Sequence, residues 1–136
     1  MTTLFIADDN PDMLEIMVSI LGKDFKILGT ASCGGEILRR VPELNPRVVL
    51  LDISLGDMSG FEVVEKLRDL GAKALFVFVS VHEGSAFVQA ARNVGASGYV
   101  FKARMASDLV RTLKGATEEG VIFRASERYP MEDFPG

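Results

Sequence analysis

Three short apolar runs set the frame of the chain. Leu4-Phe5-Ile6-Ala7 leads into Asp8-Asp9, Val48-Val49-Leu50-Leu51 into Asp52, and Leu75-Phe76-Val77-Phe78-Val79 into Ser80. These runs are too short for helices and show no polar alternation. They predict strands buried on both faces, as in a parallel sheet covered by helices. Residues 25–30 and 99–102 are more mixed and suit the two edges of that sheet. Between the runs the spacing becomes helical. Asn10 offers a cap with Pro11 at the first helical position, and Leu14, Val18 and Leu21 then share one face before Gly22. A second helix is predicted over 35–44, ended or kinked early by Pro42. Phe61, Val64 and Leu67 mark a third, closed by Gly71, and Phe87, Ala90, Ala91 and Val94 a fourth, closed by Gly95. Leu109, Val110 and Leu113 mark a fifth. The order βαβαβαβαβα calls for a three-layer α/β fold on a five-stranded parallel sheet.

The 136 residues are enough for one domain with a core that needs no disulfide or metal staple. The compact part is expected over 1–117, with 118–136 a C-terminal extension or linker that carries one apolar patch, Val121-Ile122-Phe123. A single cysteine, Cys33, excludes an internal disulfide framework and Cys-based zinc sites, and a single histidine, His82, excludes His-rich metal sites. No signal peptide and no stretch near ~20 apolar residues is present, so a soluble, cytoplasmic protein with no membrane partner is expected. The balance of 15 basic against 19 acidic residues argues against nucleic acid as a direct partner. The tail shows no helix-turn-helix pattern, which points the same way.

The chemistry gathers at the strand ends. In an open parallel sheet all strand C-termini point to one edge, and ligands collect at the switch point where strand order reverses. Asp8, Asp9 and Asp52 would therefore share one small volume, where three unpaired negative charges are costly. A divalent cation resolves this, and Mg²⁺ takes oxygen ligands with one or two carboxylates, phosphate oxygens and water. Ser80 and Lys102 reach the same edge, a hydroxyl for an oxyanion and a point cation for phosphate. Taken singly, an acidic pair before a helix, a Ser after a strand and a Lys at a strand end are ordinary dipole, turn and edge residues. At the ends of four different strands they make a site for Mg²⁺ and a phosphoryl group, with an Asp able to form an aspartyl-phosphate.

Four segments in order resemble the receiver domain of two-component response regulators over about residues 3–117. They are Phe5 to Asn10, Ala31 to Leu38, Val48 to Gly60, and Gly95-Ala96-Ser97-Gly98-Tyr99-Val100-Phe101-Lys102. The resemblance implies a flavodoxin-like, doubly wound sheet of strand order 2-1-3-4-5. It implies Asp52 as phosphoacceptor, Asp9 as direct Mg²⁺ ligand with Asp8 helping through water, and the backbone carbonyl of Ser54 as a further ligand. Ser80 resembles the switch hydroxyl, Lys102 the phosphate-binding lysine and Tyr99 the switch aromatic, although a Tyr on an edge strand is commonly surface packing. The implied partner is a sensor histidine kinase or a phosphotransfer protein. The implied output face is the fourth helix, fifth strand and fifth helix, which also admits a homodimer.

Three positions depart from the family pattern. Gly56 stands where the family has Pro, which gives the loop backbone freedom. Val81 follows the switch hydroxyl where Ala or Gly is usual, and is expected to crowd the phosphoryl site. Ala103 follows Lys102 where many members have Pro. The rival readings are weaker. A haloacid-dehalogenase-like phosphohydrolase needs a second Asp at position 54, which is Ser54, and a substrate cap that this length does not supply. A nucleotide or flavin carrier needs a glycine-rich phosphate loop, and none follows a strand. A receiver that works without phosphate would not need the complete set of acids, Ser80 and Lys102. The chain is thus expected to be a phosphorylation-controlled switch that assists its own chemistry, not a turnover enzyme.

Overall fold

The three apolar runs become the centre of a sheet. The computed structural model describes residues 1–118. β1 (Thr3–Ala7), β3 (Val48–Leu51) and β4 (Leu75–Ser80) lie side by side, with β2 (Lys26–Ala31) and β5 (Gly98–Phe101) at the edges. All pairings are parallel and the order is β2-β1-β3-β4-β5. The helices are α1 (Pro11–Leu21), α2 (Gly34–Leu44), α3 (Gly60–Asp69), α4 (Ser85–Asn93) and α5 (Met105–Glu118), with a 3-10 turn over Lys102–Arg104.

Side chains alternate across a strand, so each central strand feeds two cores. Leu4, Ile6, Val48, Leu50, Val77, Val79 and Val100 face α1 and α5, packing with Met17, Leu21, Leu109 and Leu113. Phe5, Val49, Leu51, Phe76, Phe78, Tyr99 and Phe101 face the other way, with Ile37, Val64, Leu67 and Val88 from α2, α3 and α4. Burial on both faces is why these strands read as unbroken apolar runs.

Several local expectations are refined. Asn10 caps α1 as expected, its side chain accepting from the amides of Asp12 and Met13. The buried stripe of α1, however, runs through Met17 and Leu21, and Val18 is 37% exposed. α1 is apolar nearly all round, so two stripes at helical spacing compete and packing chooses one. α2 continues through Pro42 to Leu44 and stops at Asn45, whose φ of 49° is left-handed. Pro42 sits in the last turn, where its missing N–H removes only one internal bond. β5 is an edge strand, yet all four of its residues are buried. The polar character of 99–102 has two sources: the Tyr99 hydroxyl and Lys102, which lies beyond the strand in the 3-10 turn. α5 is described as far as Glu118, and the extension expected over 118–136 otherwise lies outside the described residues.

Candidate functional site

Register brings the acids together. Ala7 pairs with Leu51 across β1 and β3, so the next residues, Asp8 and Asp52, leave the sheet level with each other. Both are buried, at 1% and 6% exposure, while Asp9 is exposed. Carboxylate oxygens of Asp8, Asp9 and Asp52 all lie within 4.8 Å of one another. Between β4 and β5, Ser80 pairs with Phe101, which delivers Lys102 to the same edge.

Lys102 is the cation shared by two buried acids. Its Nζ lies 2.8 Å from Asp52 Oδ2, a hydrogen bond, and 2.7 Å from Asp8 Oδ2. Burial opposes the ammonium charge, but the hydrogen bond to Asp52 and the ion pair with Asp8 outweigh it and hold the Lys102 pKa above its usual value. Asp8 goes the other way. Burial raises its pKa above the carboxylate value, despite Lys102 and the Asn10 amide, which donates to Oδ1 at 2.9 Å. Asp52 Oδ1 accepts from the Ile53 amide at 2.6 Å.

One atom in this cluster stays unsatisfied. Asp8 Oδ2 is buried and close to the lysine, but no hydrogen bond is aligned onto it. Three carboxylates face one ammonium, the donor set is all oxygen, and one buried oxygen has an ion pair but no aligned hydrogen bond. A small divalent cation fits that arrangement on charge, hardness and the unmet acceptor.

The loop after β3 carries Ser54, which is exposed and forms an isolated antiparallel bridge with Ser59. Leu55 donates to the Met58 carbonyl at 3.3 Å and Gly60 to the Ile53 carbonyl at 2.7 Å. Gly56 has φ of 84° in open space, so the loop turns through a conformation that proline cannot adopt. Gly60 is required by contact: a Cβ there would run into the Asp52 carbonyl.

Ser80 and Tyr99 are joined through a residue that sequence reasoning passed over. Ser80 is fully buried, and its Oγ accepts from the His82 amide at 3.1 Å. Tyr99 is also fully buried, and its hydroxyl donates to the His82 carbonyl at 2.7 Å. The His82 ring stacks on Phe87 of α4, with centroids 4.1 Å apart. Tyr99 is therefore not surface packing. Val81, expected to crowd the site, is 65% exposed and stands in solvent instead. Asp57 was also passed over. Its carboxylate accepts from the Gly34 and Gly35 amides at 2.8 and 2.9 Å, across the gap to α2. The available signal was the start of α2, Cys33-Gly34-Gly35, which offers no strong capping side chain of its own. Two surface cavities, of about 110 and 260 Å³, share Asn45, Pro46 and Ala74 in their lining and lie at the opposite end of the sheet. No carboxylate lines either one.

A family model described as the response regulator receiver domain matches residues 4–114. The chain belongs to this family. Among its relatives is the nitrate/nitrite response regulator NarL of Escherichia coli K12, 32% identical over 127 residues, covering 90% of this chain and 58% of NarL. The DNA-binding transcriptional activator EvgA of the same organism is 27% identical over 112 residues, covering 82% of this chain and 55% of EvgA. A solved LuxR-family two-component response regulator from Aurantimonas sp. SI85-9A1 superposes with a TM-score of 0.86 at 27% identity, covering 93% of this chain and 92% of that one. The chain is a receiver domain of two-component response regulators, and its Asp8-Asp9-Asp52 cluster is consistent with a phosphoacceptor site.

These relatives correct one expectation. The acidic balance argued against nucleic acid, yet a relative is a DNA-binding transcriptional activator. The chain spans about half the length of the curated relatives it matches. The net charge of the part shared with these relatives says nothing about surfaces carried by the rest of theirs, so it could not exclude DNA. No helix among the described residues is long and apolar enough to cross a membrane.

Proposed function

We propose that Asp52 is the phosphoacceptor of this receiver domain and that Lys102, Asp8 and Asp9 prepare it. The observation that carries this reading is the shared ammonium, 2.8 Å from Asp52 and 2.7 Å from Asp8 at the paired ends of β1 and β3. An Asp52 oxygen attacks the phosphorus of a phosphohistidine on the kinase or phosphotransfer protein. The P–N bond breaks, an acyl phosphate O–P bond forms, and the imidazole leaves with the electron pair and takes up a proton. Asp8, Asp9, Asp52 and the Ser54 carbonyl would hold Mg²⁺, which supplies Lewis-acid stabilisation of the phosphoryl oxygens. Lys102 is positioned to exchange its bond to Asp52 for one to a phosphoryl oxygen, because it is a compact charge on a flexible stem.

The same reading gives the relay. The acyl phosphate carries roughly −1.5 to −2 charges where the carboxylate carried a single one, and it brings strong acceptor oxygens. Ser80, in turning to donate to them, gives up the His82 amide. His82 is also the acceptor for Tyr99 and the ring partner of Phe87, so β5 and α4 both feel the change. The output follows from differential contacts in the two states. The domain boundary is placed at about residue 117, the location is cytoplasmic, and no separate substrate is turned over. In line with the DNA-binding relative, the switch sits upstream of a DNA-binding response.

Intact-mass measurement after exposure to a small acyl or amido phosphate with Mg²⁺ tests the reading. One phosphate adduct is expected in the wild type and none in Asp52→Ala. An undiminished adduct in that variant would remove Asp52 from the role. Hydrogen exchange on the beryllofluoride–Mg²⁺ form should show altered protection across 80–102 and into α5, and changes confined to 8–10 and 52–60 would refute the relay.

A further inference from the structure

The loop that carries Ser54 contains a contradiction. Gly56 gives it freedom, with φ of 84° and no heavy atom near enough to restrain a side chain there. A loop that presents a backbone carbonyl to a small cation must nonetheless be held still, because such ions demand near-ideal geometry.

Asp57, the residue after Gly56, removes that freedom. Asp57 Oδ1 accepts from the Gly34 amide at 2.8 Å and Oδ2 from the Gly35 amide at 2.9 Å. Both bonds close gaps of more than twenty residues and tie the β3–α3 loop to the first turn of α2. The helix needs them, since Cys33 occupies the N-cap position without a side-chain hydrogen bond. Packing reinforces the tie: the Cβ position at Gly34 is already filled by the Met58 side chain. The amide bonds hold the Asp57 carboxyl below the usual carboxylate range, so this exposed acid keeps its charge further into acid. At the other end, Gly60 packs against the Asp52 carbonyl. The loop is thus clamped at Asp57 and Gly60 and stitched internally by the Ser54–Ser59 bridge.

We infer that Asp57 is a positioning residue, which by capping α2 from the β3–α3 loop fixes the Ser54 carbonyl for the metal of the phosphoacceptor site. The inference rests on the metal reading above, and its test separates the two. Mg²⁺ is titrated against the full chain, with the thermal midpoint and direct calorimetry as readouts, for wild type, Asp57→Ala and Asp57→Ala/Cys33→Ser. The serine gives α2 a local cap, which restores the helix but not the loop. Expected is a metal-free midpoint that falls in Asp57→Ala and recovers in the double variant. The Mg²⁺ dissociation constant should be weakened roughly ten-fold in both, the low end of the loss of an outer-shell contact. Recovery of Mg²⁺ affinity together with stability would reduce Asp57 to a helix cap and overturn the inference. Unchanged affinity in Asp57→Ala would overturn it too. No response to Mg²⁺ in the wild type would overturn the metal reading itself, and this inference with it.

Discussion

Two aspartates in this domain are equally hidden, Asp8 at the strand ends and Asp108 on α5, each 1% exposed. Their surroundings differ. Asp108 is met by Arg104 at 3.2 Å, Arg111 at 2.9 Å and the Ser107 hydroxyl at 2.9 Å, on both of its oxygens. One carboxylate there faces two guanidiniums, all on one turn of helix or just before it. Around Asp8, three carboxylates face one ammonium, and one oxygen of Asp8 has no aligned donor. Burial of a carboxylate is therefore not in itself a mark of function. Excess negative charge without matching donors points to it, because folding alone leaves that charge uncompensated and a proton or a cation can supply what is missing. Asp108 is held by neighbours three and four residues away, the spacing that suits helix pairs. Asp8 depends on a residue 94 positions later that only the sheet can deliver.

The largest effect expected from breaking this contrast is at Lys102. In Lys102→Ala two buried carboxylates lose their only described ion-pair partner. Removing one member of a buried ionic group costs about 3–5 kcal/mol when the other charge stays buried and unpaired. Chemical denaturation of the metal-free variant at neutral pH should show a loss near that size, and Mg²⁺ should restore part of it. A loss under about 1 kcal/mol would mean that water already solvates the pair and that the strand-end site is not charge-strained.

Asp108→Asn should do less. The arginines it leaves behind are about half exposed and can turn to solvent, with side-chain exposures of 54% and 45%. The expected loss is about 1–2 kcal/mol, that of charge-assisted hydrogen bonds without a stranded buried ion. The Mg²⁺-induced rise in thermal midpoint should equal the wild type's. A diminished Mg²⁺ response would show that the two aspartates are coupled, and the contrast drawn between them would fail.

The contrast also shows where the chain was legible. The apolar runs identified the central strands, and the acids directly after two of them identified the cluster, since strand ends are fixed by where hydrophobic residues stop. Lys102, which meets Asp8 and Asp52, followed from the same logic. What escaped was set by long-range packing. Which of two apolar stripes α1 buries depends on α5 and the sheet, and Val18 was assigned to the wrong one. Val81 was judged by size, but its direction at the end of β4 decides that it faces water. His82 bonds Ser80 and Tyr99 through its peptide group, and those bonds carry no trace in residue type. Asp108 was invisible for a related reason: an acid in the first turn of a helix reads as a dipole complement, exposed or not.

A third test uses the raised pKa of Asp8. The folded value lies above the unfolded one, so the folded state holds the proton longer. Stability is fully present below the unfolded value of about 3.8 and falls as pH rises through the window up to the folded pKa, then levels. Asp57 and Glu36, whose carboxyls are held below their usual values, contribute the opposite slope, so the comparison must be made by difference. Wild type minus Asp8→Asn, measured without metal by denaturation across acid pH, should show stability declining with rising pH. With Mg²⁺ present the decline should shrink, because the cation favours the charged carboxylate. A difference that rises with pH would mean that Lys102 more than compensates burial at Asp8.

The smallest effect on folding and the sharpest on the contrast is expected at Asp9. It is exposed, and it adds its charge to the cluster from the solvent side. Exposed charges a few ångströms apart interact weakly through water, so Asp9→Ala should leave the metal-free thermal midpoint essentially unmoved. Its oxygen still lies within 4.8 Å of the buried pair, which places it within reach of the same small cation. A ligand at concentration L that binds only the folded state stabilises it by RT ln(1 + L/Kd), which vanishes as the dissociation constant rises above the ligand concentration. Loss of one of few oxygen donors should therefore erase most of the Mg²⁺-induced shift in Asp9→Ala, while Asp8→Ala retains part of it. A melt with and without Mg²⁺ on the three proteins separates these outcomes. Equal Mg²⁺ shifts in wild type and Asp9→Ala would mean that the exposed carboxylate is a bystander. The excess charge that distinguishes Asp8 from Asp108 would then rest on the buried pair alone.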